Sequence, residues 1–215
     1  DAFYNACDTA GILVWQDFML ANLVPAEGAF LENITHEAKE QAARFAIHPC
    51  AALLCGNNEL EVAWSNWGWQ DKYDLHGTDS ARVIDNNRHL WKDVLGTIAT
   101  DAGVPYTWTS ALSNWGNAAG LRNGDLHYWG VWHGDADLAS FATNVGRFVS
   151  EYGFQSWPDS AMLAKYIDPD QLHLGRDALR WRQRSYKTDK PIWEAIAQEL
   201  DQHPKTLNAF IEASQ

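Results

Sequence analysis

Short apolar, β-favouring runs alternate with longer helical patterns, and this alternation limits the fold of the chain more than any other feature. The runs cover residues 11–18, 51–59, 105–109, 126–132 and 147–153. Segments of crossover length separate them, which is typical of βαβ units and a parallel sheet. The runs are nearly continuous in apolar residues, as strands buried on both faces are. We therefore expect an α/β fold built on five parallel strands.

The segments between these runs show the 3.6-residue spacing of helices or the composition of loops. Helices are predicted over about 30–47, 80–99 and 137–145, and over most of the chain after 153. A Trp-rich stretch over 64–73 and a Gly/Asn-rich stretch after 109 are predicted to be loops.

Several of the runs end in polar residues, namely Asp17, the group Asn57, Asn58 and Glu59, and Glu151. In a (β/α)8 TIM barrel the active site lies at the carboxyl ends of the strands. A closed barrel needs eight strands, and only five runs are visible here. The fold class that we predict is therefore an α/β TIM barrel, present only in part.

Composition excludes several classes of function. The formal net charge of −12 argues against nucleic acid or an anionic membrane as partner, because both require a basic surface. No stretch has the length and apolar character of a membrane span. The three cysteines, Cys7, Cys50 and Cys55, form no disulfide framework, and we expect them to be buried. The histidines show no metal-ligand spacing, so no metal and no cofactor are predicted.

Two glutamates at strand ends point to glycoside hydrolysis. That reaction needs two carboxyl groups, one to protonate the leaving oxygen and one to attack the anomeric carbon or activate a water. Glu59 and Glu151 end different runs, so both side chains would face one cavity. The alternative is that each is a helix cap or an ion-pair partner, which is the commoner role of such a carboxylate. The twelve tryptophans fit either a core or sugar-stacking platforms.

Four motifs strengthen the hydrolase interpretation. They are CDTAGILVWQDF at 7–18, CGNNELE at 55–61, GDLHYWGVWH at 124–133 and FVSEYGFQS at 148–156. Their order and spacing resemble the catalytic domain of glycoside hydrolase family 2, specifically its β-mannosidase branch. The resemblance covers almost the whole chain. It implies barrel strands three to seven, an incomplete catalytic domain over 1–215, and no flanking β-sandwich domains within the chain.

The resemblance also implies roles for individual residues. Glu59 matches the general acid/base and Glu151 the nucleophile of a retaining, exo-acting enzyme that releases terminal non-reducing β-D-mannose. Asn58 matches the residue that binds the sugar 2-hydroxyl, although a turn residue is the simpler interpretation of an isolated Asn. Glu61, two residues after the acid/base, is interpreted as structural.

Five further residues are candidates for substrate binding by position. Trp67, with Trp69 as an alternative, and Trp115 would be sugar platforms in loops, although core packing is an equal alternative. Asp17 would bind a hydroxyl or else cap a loop. His127 and Tyr128, with His133 nearby, border the nucleophile, and one of these would orient Glu151.

The expected partner is a β-mannoside or a manno-oligosaccharide. The missing barrel strands would come from the rest of a parent chain or from another chain. Two alternatives stay open, namely another glycosidase of the same clan, such as a β-galactosidase or exo-glucosaminidase, and an inactive sugar-binding fragment. Free cysteines favour a reducing compartment, although the sequence leaves the choice between cytoplasm and periplasm open.

Overall fold

The computed structural model describes residues 1–215, which form two compact units. The first unit contains residues 1–128 and 141–152, and the second contains 129–140 and 153–215. The helices are α1 (Ala2–Ala10), α2 (Gly28–Ala46), α3 (Leu60–Asn66), α4 (Trp69–Lys72), α5 (Gly77–His89), α6 (Leu95–Asp101), α7 (Ser160–Leu163), α8 (Asp177–Arg182), α9 (Lys190–Leu200) and α10 (Leu207–Ser214). None of them combines the length and the apolar character needed to cross a membrane.

All five strands pair in parallel, as the sequence predicts, but they form two small sheets. The first sheet contains β1 (Val14–Asp17), β2 (Ala51–Cys55) and β3 (Tyr106–Thr107), and the second contains β4 (Leu126–Tyr128) and β5 (Val149–Tyr152). Within each sheet the strands follow chain order. The predicted α/β class is confirmed at this level.

The core of the first unit lies between its sheet and the helices that follow the strands. Helix α2 places Ala38, Ala42 and Phe45 on its buried face, a spacing that matches the helical repeat. These side chains join one apolar cluster with Leu54 of β2 and the fully buried Trp91. Burial of these side chains stabilises the unit mainly through the hydrophobic effect.

The helix predicted over 80–99 is confirmed, since α5, a π-helical turn at Leu90–Val94 and α6 follow one another without a break. Two of the local predictions were wrong in detail. The Trp-rich stretch predicted to be a loop contains the end of helix α3 and all of α4. The helix expected over 137–145 is only a 3-10 turn at Leu138–Ala142.

The second unit is mainly helical, as expected. Its core includes Ile192 and Ile196 of α9 with Phe210 and Ile211 of α10. The rings of Trp193 and Phe210 stack with their centroids 4.1 Å apart. Such stacking adds directional attraction to the burial of the two helices.

Candidate active site

The loop that follows β2 carries Glu59 in an unusual backbone conformation. Glu59 has φ 58° and ψ 5°, the left-handed region that residues with a side chain rarely adopt. Its N–H donates to the carbonyl oxygen of Ser110 at 2.6 Å, and its own carbonyl accepts from the N–H of Ala63 in α3. This turn therefore sets the direction of the Glu59 side chain, and helix α3 begins directly after it. Backbone strain of this kind is common at functional sites.

Asn57, which the sequence places in the polar group at the end of the run but to which it assigns no role, holds this turn in place. Its side chain is fully buried. The side-chain amide donates to the carbonyl oxygen of Trp108 at 2.9 Å, while Oδ1 accepts from the N–H of Leu60 at 3.0 Å and from Thr109 Oγ1 at 2.9 Å. Asn57 thus joins the end of β2 to the segment after β3 and fixes the position of Glu59.

Glu61 has the structural role expected of it. Its carboxylate accepts two bonds from Arg88 of α5, from Nε at 2.9 Å and from Nη2 at 2.6 Å. This bidentate geometry is the most favourable one for such a pair. It ties the helix that follows Glu59 to a neighbouring helix, and it accounts for Glu61 without any catalytic role.

Glu151 lies on β5 beside His127 of β4. The two residues are register partners in the parallel ladder. The side chain of His127 is 3% exposed and that of Glu151 is 37% exposed. The nucleophile candidate is therefore open to a ligand, while its histidine neighbour is enclosed.

His127 brings the two candidate carboxylates together. Its Nδ1 lies 2.8 Å from Glu59 Oε1 and 3.5 Å from Glu151 Oε2. One carboxylate oxygen of each glutamate and one ring nitrogen of His127 all lie within 4.8 Å of one another. The sequence suggested His127 as a substrate-binding candidate; the structure makes it the link between the acid/base candidate and the nucleophile candidate.

The other edge of the His127 ring faces a buried polar group that the sequence motifs did not reveal. Nε2 lies 2.9 Å from Ser110 Oγ and 3.6 Å from Asp125 Oδ2. Ser110 donates to Asp125 Oδ2 at 2.5 Å, and Ser150 donates to the same oxygen. The one available sequence signal was the spacing of Asp125 and His127, because residues two apart share a face of a strand.

Charges and hydrogen bonds within this group shift the pKa values of His127 and Asp125. Burial by itself lowers the pKa of His127, but the neighbouring carboxylates of Asp125, Glu59 and Glu151 outweigh it and raise the pKa to about 9. For Asp125 burial acts to raise the pKa, and the hydrogen bonds of His127, Ser110 and Ser150 together hold it below its ordinary value. At neutral pH the His127 ring is therefore an imidazolium, and it faces the Asp125 carboxylate.

Glu59, His127 and Glu151 have the grouping of donor atoms that a cation site also requires. Nδ1 of His127 and Oε1 of Glu59 already satisfy each other at hydrogen-bond distance. We therefore interpret the group as an acid–base cluster rather than as a metal centre. Two close carboxyl groups, both partly exposed, are what nucleophilic substitution at an acetal carbon needs.

Two further predicted site residues, Asn58 and Asp17, lie near the carboxyl ends of β2 and β1. Asn58 precedes Glu59, and its N–H donates to the carbonyl oxygen of Leu20. Asp17 ends β1 beside Cys55, and its Oδ1 accepts from Trp15 Nε1 at 2.8 Å. Both lie at the carboxyl ends of strands in the first sheet.

The aromatic candidates differ in exposure. Trp67 directly follows α3, is 42% exposed and donates from Nε1 to Asn114 Oδ1 at 3.4 Å, while Trp115 is half-buried in the loop after β3. Tyr128 is buried, and its ring meets Phe141 edge to face. The structure thus leaves Trp67 open to a ligand and encloses Tyr128.

Comparison with known proteins gives one consistent pattern. The chain is 33% identical to β-mannosidase B of Thermothelomyces thermophilus over 229 aligned residues, covering all of this chain and 26% of that protein. It is 33% identical to the β-mannosidase of Mus musculus over 77% of this chain and 20% of that protein. No family model matches the chain.

A solved structure gives the same pattern. The β-D-mannosidase of Dictyoglomus thermophilum superposes with a TM-score of 0.82 at 27% identity, covering 99% of this chain and 25% of that one. The chain therefore spans about a quarter of the length of the relatives that it matches.

Proposed function

We propose that this chain, which is similar to β-mannosidases, carries the two catalytic carboxylates of a retaining, exo-acting β-mannosidase. Glu59 is the general acid/base and Glu151 the nucleophile. The observation that carries this proposal is that their carboxylate oxygens approach within 4.8 Å. Retaining glycosidases hold the two carboxyl groups about 5–5.5 Å apart, whereas inverting enzymes leave about 6.5–9.5 Å for a water.

The proposed reaction takes two steps. Glu151 attacks the anomeric carbon of a terminal β-mannoside while Glu59 donates a proton to the leaving oxygen, which gives a covalent mannosyl-enzyme. Glu59, now a carboxylate, then takes a proton from a water that attacks the same carbon and releases Glu151. The partial exposure of Glu151 suits the attacking role.

The proposed fold context is strands three to seven of a (β/α)8 barrel. The support is that all five strands are parallel in chain order and that isolated parallel bridges, Asn58 to Ser110 and Ser113 to Leu126, continue the pairing beyond β3. Glu59 follows β2 and Glu151 lies on β5, so both are near the carboxyl ends, where barrel enzymes place their sites.

The proposed sugar contacts follow from placement. Asn58, next to the acid/base, binds the 2-hydroxyl, and Asp17 binds another hydroxyl from the end of β1. Trp67 and Trp115 offer ring faces from the loops after β2 and β3. Aromatic faces suit the apolar side of a sugar ring.

Chemical rescue tests the assignment directly. In the full-length gene product, Glu151→Gly and Glu59→Ala should each lower kcat on a nitrophenyl β-mannoside by at least 1,000-fold, an expectation in the upper range for losing a catalytic group. Azide should then restore turnover, giving the α-mannosyl azide with Glu151→Gly and the β-anomer with Glu59→Ala. Identical products from both variants would refute the roles.

Glu61→Gln is the matched control, because this carboxylate is held by Arg88 and should leave the chemistry intact. A panel of nitrophenyl β-glycosides separates the alternatives within the clan. Turnover of the galactoside or glucosaminide above the mannoside would replace the proposed substrate. Mannose binding without turnover would instead indicate an inactive sugar-binding protein.

A further inference from the structure

Hydrogen bonds join Asp125, Ser110 and His127 on the side of the His127 ring away from both glutamates, and these three residues are called the relay. Asp125 Oδ2 accepts hydrogen bonds from Ser110 and Ser150, and Ser110 Oγ also lies 2.9 Å from His127 Nε2. Asp125, Ser110 and His127 are all buried. No step of the proposed reaction uses Asp125 or Ser110, so their burial together needs an explanation.

The serine hydroxyl sets the direction of the relay. A hydroxyl has one hydrogen to donate, and an ionised carboxylate only accepts. Because Ser110 gives its hydrogen to Asp125 at 2.5 Å, only a lone pair of Oγ is left to face His127 Nε2. Nε2 must therefore carry a hydrogen and donate it to Ser110.

The other ring nitrogen, Nδ1, contacts Glu59, the proposed general acid/base. Nδ1 lies 2.8 Å from Glu59 Oε1, so an imidazolium donates there and keeps one oxygen of Glu59 occupied. The same N–H lies 3.5 Å from Glu151 Oε2. The imidazolium N–H therefore lies against one oxygen of Glu59 and one oxygen of Glu151, and one charged ring orients both carboxyl groups.

We propose, on the basis of the proposed function, that Asp125 is a positioning residue for the glycosidase reaction. Acting through Ser110, it keeps the His127 ring oriented and doubly protonated, and the ring in turn holds Glu59 and Glu151 in their reacting positions. Asp125 touches no substrate and exchanges no proton with it.

Three charged groups face the His127 ring from three elements. They are Glu59 from the loop after β2, Glu151 from β5 and Asp125 from the segment before β4. The charges of these three carboxyl groups favour the protonated His127 ring. The Cys55 thiol, which interacts electrostatically with Asp125, stays neutral because burial raises the pKa of the thiol. Removing the charge of Asp125 alone should therefore let the ring lose its proton at a lower pH.

The test is Asp125→Asn in the full-length gene product, which keeps the size of the side chain and removes its charge. We expect kcat on a nitrophenyl β-mannoside to fall at least tenfold with KM within twofold. Asp125→Asn should also lower by at least about 1 the pH at which the His127 ring loses its proton, and kcat/KM should fall over the pH range in which the ring is neutral. A folded Asp125→Asn protein with the wild-type kcat and the wild-type ring titration would overturn the proposal.

A second variant covers the case in which Asp125→Asn does not fold. Ser110→Ala breaks the relay while Ser150 still donates to Asp125, and it should lower kcat and the pH at which the ring loses its proton, as Asp125→Asn does. Ser110→Thr keeps a hydroxyl and should restore both. If Ser110→Ala leaves both unchanged, the relay has no positioning role.

The control is Asp93→Asn, because Asp93 also pairs with a histidine, His89, at 2.9 Å but on the exposed surface. It should change neither kcat nor the pH profile. NMR titration of the His127 ring, with histidine labelled, needs no substrate. It therefore separates failure of the relay, seen as an unchanged ring titration in Asp125→Asn, from failure of the β-mannosidase assignment, seen as no turnover by the wild type.

Discussion

Raising the pH should weaken the first unit through one residue, His127. Its pKa is raised from 6.5 to about 9 by neighbouring carboxylates that outweigh its burial. A raised pKa means that the folded state binds the proton more tightly than the unfolded state. The stabilisation is therefore fully present below about pH 6.5 and is lost as the pH rises through about 9. A pKa that differs by one between the folded and unfolded states corresponds to about 1.4 kcal/mol of stability, so the total here is roughly 3 kcal/mol.

The perturbation that isolates this effect is His127→Gln, which keeps a polar side chain but cannot be protonated. Urea unfolding followed by tryptophan fluorescence, from pH 6 to 10, gives the unfolding free energies of both proteins. Their difference should shrink by roughly 3 kcal/mol between pH 6.5 and 9.5, because other titrations occur in both proteins and cancel.

The exposed His89 is the matched control, since its pair with Asp93 at 2.9 Å is open to solvent and should contribute little. His89→Gln should follow the pH dependence of the wild type. If the wild type and His127→Gln lose the same free energy between pH 6.5 and 9.5, the charged state of His127 is not what holds the carboxylates together.

Three further predictions concern stability and reactivity. Asn57→Ala should lower the unfolding free energy by about 3 kcal/mol in urea titrations, because it leaves buried hydrogen-bonding groups unpaired; an unchanged midpoint would contradict this role. Burial raises the pKa of Cys50 to about 11 and raises that of Cys55 further, so a disulfide reagent should label neither thiol until urea is added. The hydrogen bond from His48 holds the pKa of Asp8 below its ordinary 3.8, so the wild type should melt above Asp8→Asn at pH 7, and the gap should close as the pH falls below about 4; a constant gap from pH 3 to 7 would refute it.

The sequence by itself determined where the strands lie. Apolar runs bounded by polar residues mark parallel strands, and each of the five runs contains one. The sequence also singled out Glu59 and Glu151 as candidates, because carboxylates at strand ends in recognisable motifs are local features of the chain, and the structure brings the two together. The burial of all three cysteines was also predicted correctly, because a small apolar side chain in an apolar run has few other places to go.

Local patterns were less informative where tertiary packing competes with propensity. The composition of the Trp-rich stretch predicts a loop, but the stretch is helical over Leu60–Asn66 and Trp69–Lys72, where Leu60 and Trp64 pack into the core. Packing of this kind overrides weak helix propensity.

Only the tertiary structure decided how the site is assembled. Asp125, Ser110 and Ser150 lie on different segments, and their meeting depends on strand register and on a turn after β3, neither of which is visible in the sequence. The same holds for the left-handed backbone at Glu59, which Asn57 stabilises from within the core. Hydrogen bonds between distant segments form only once burial has brought those segments together, so the residue types were readable from the chain and their partners were not.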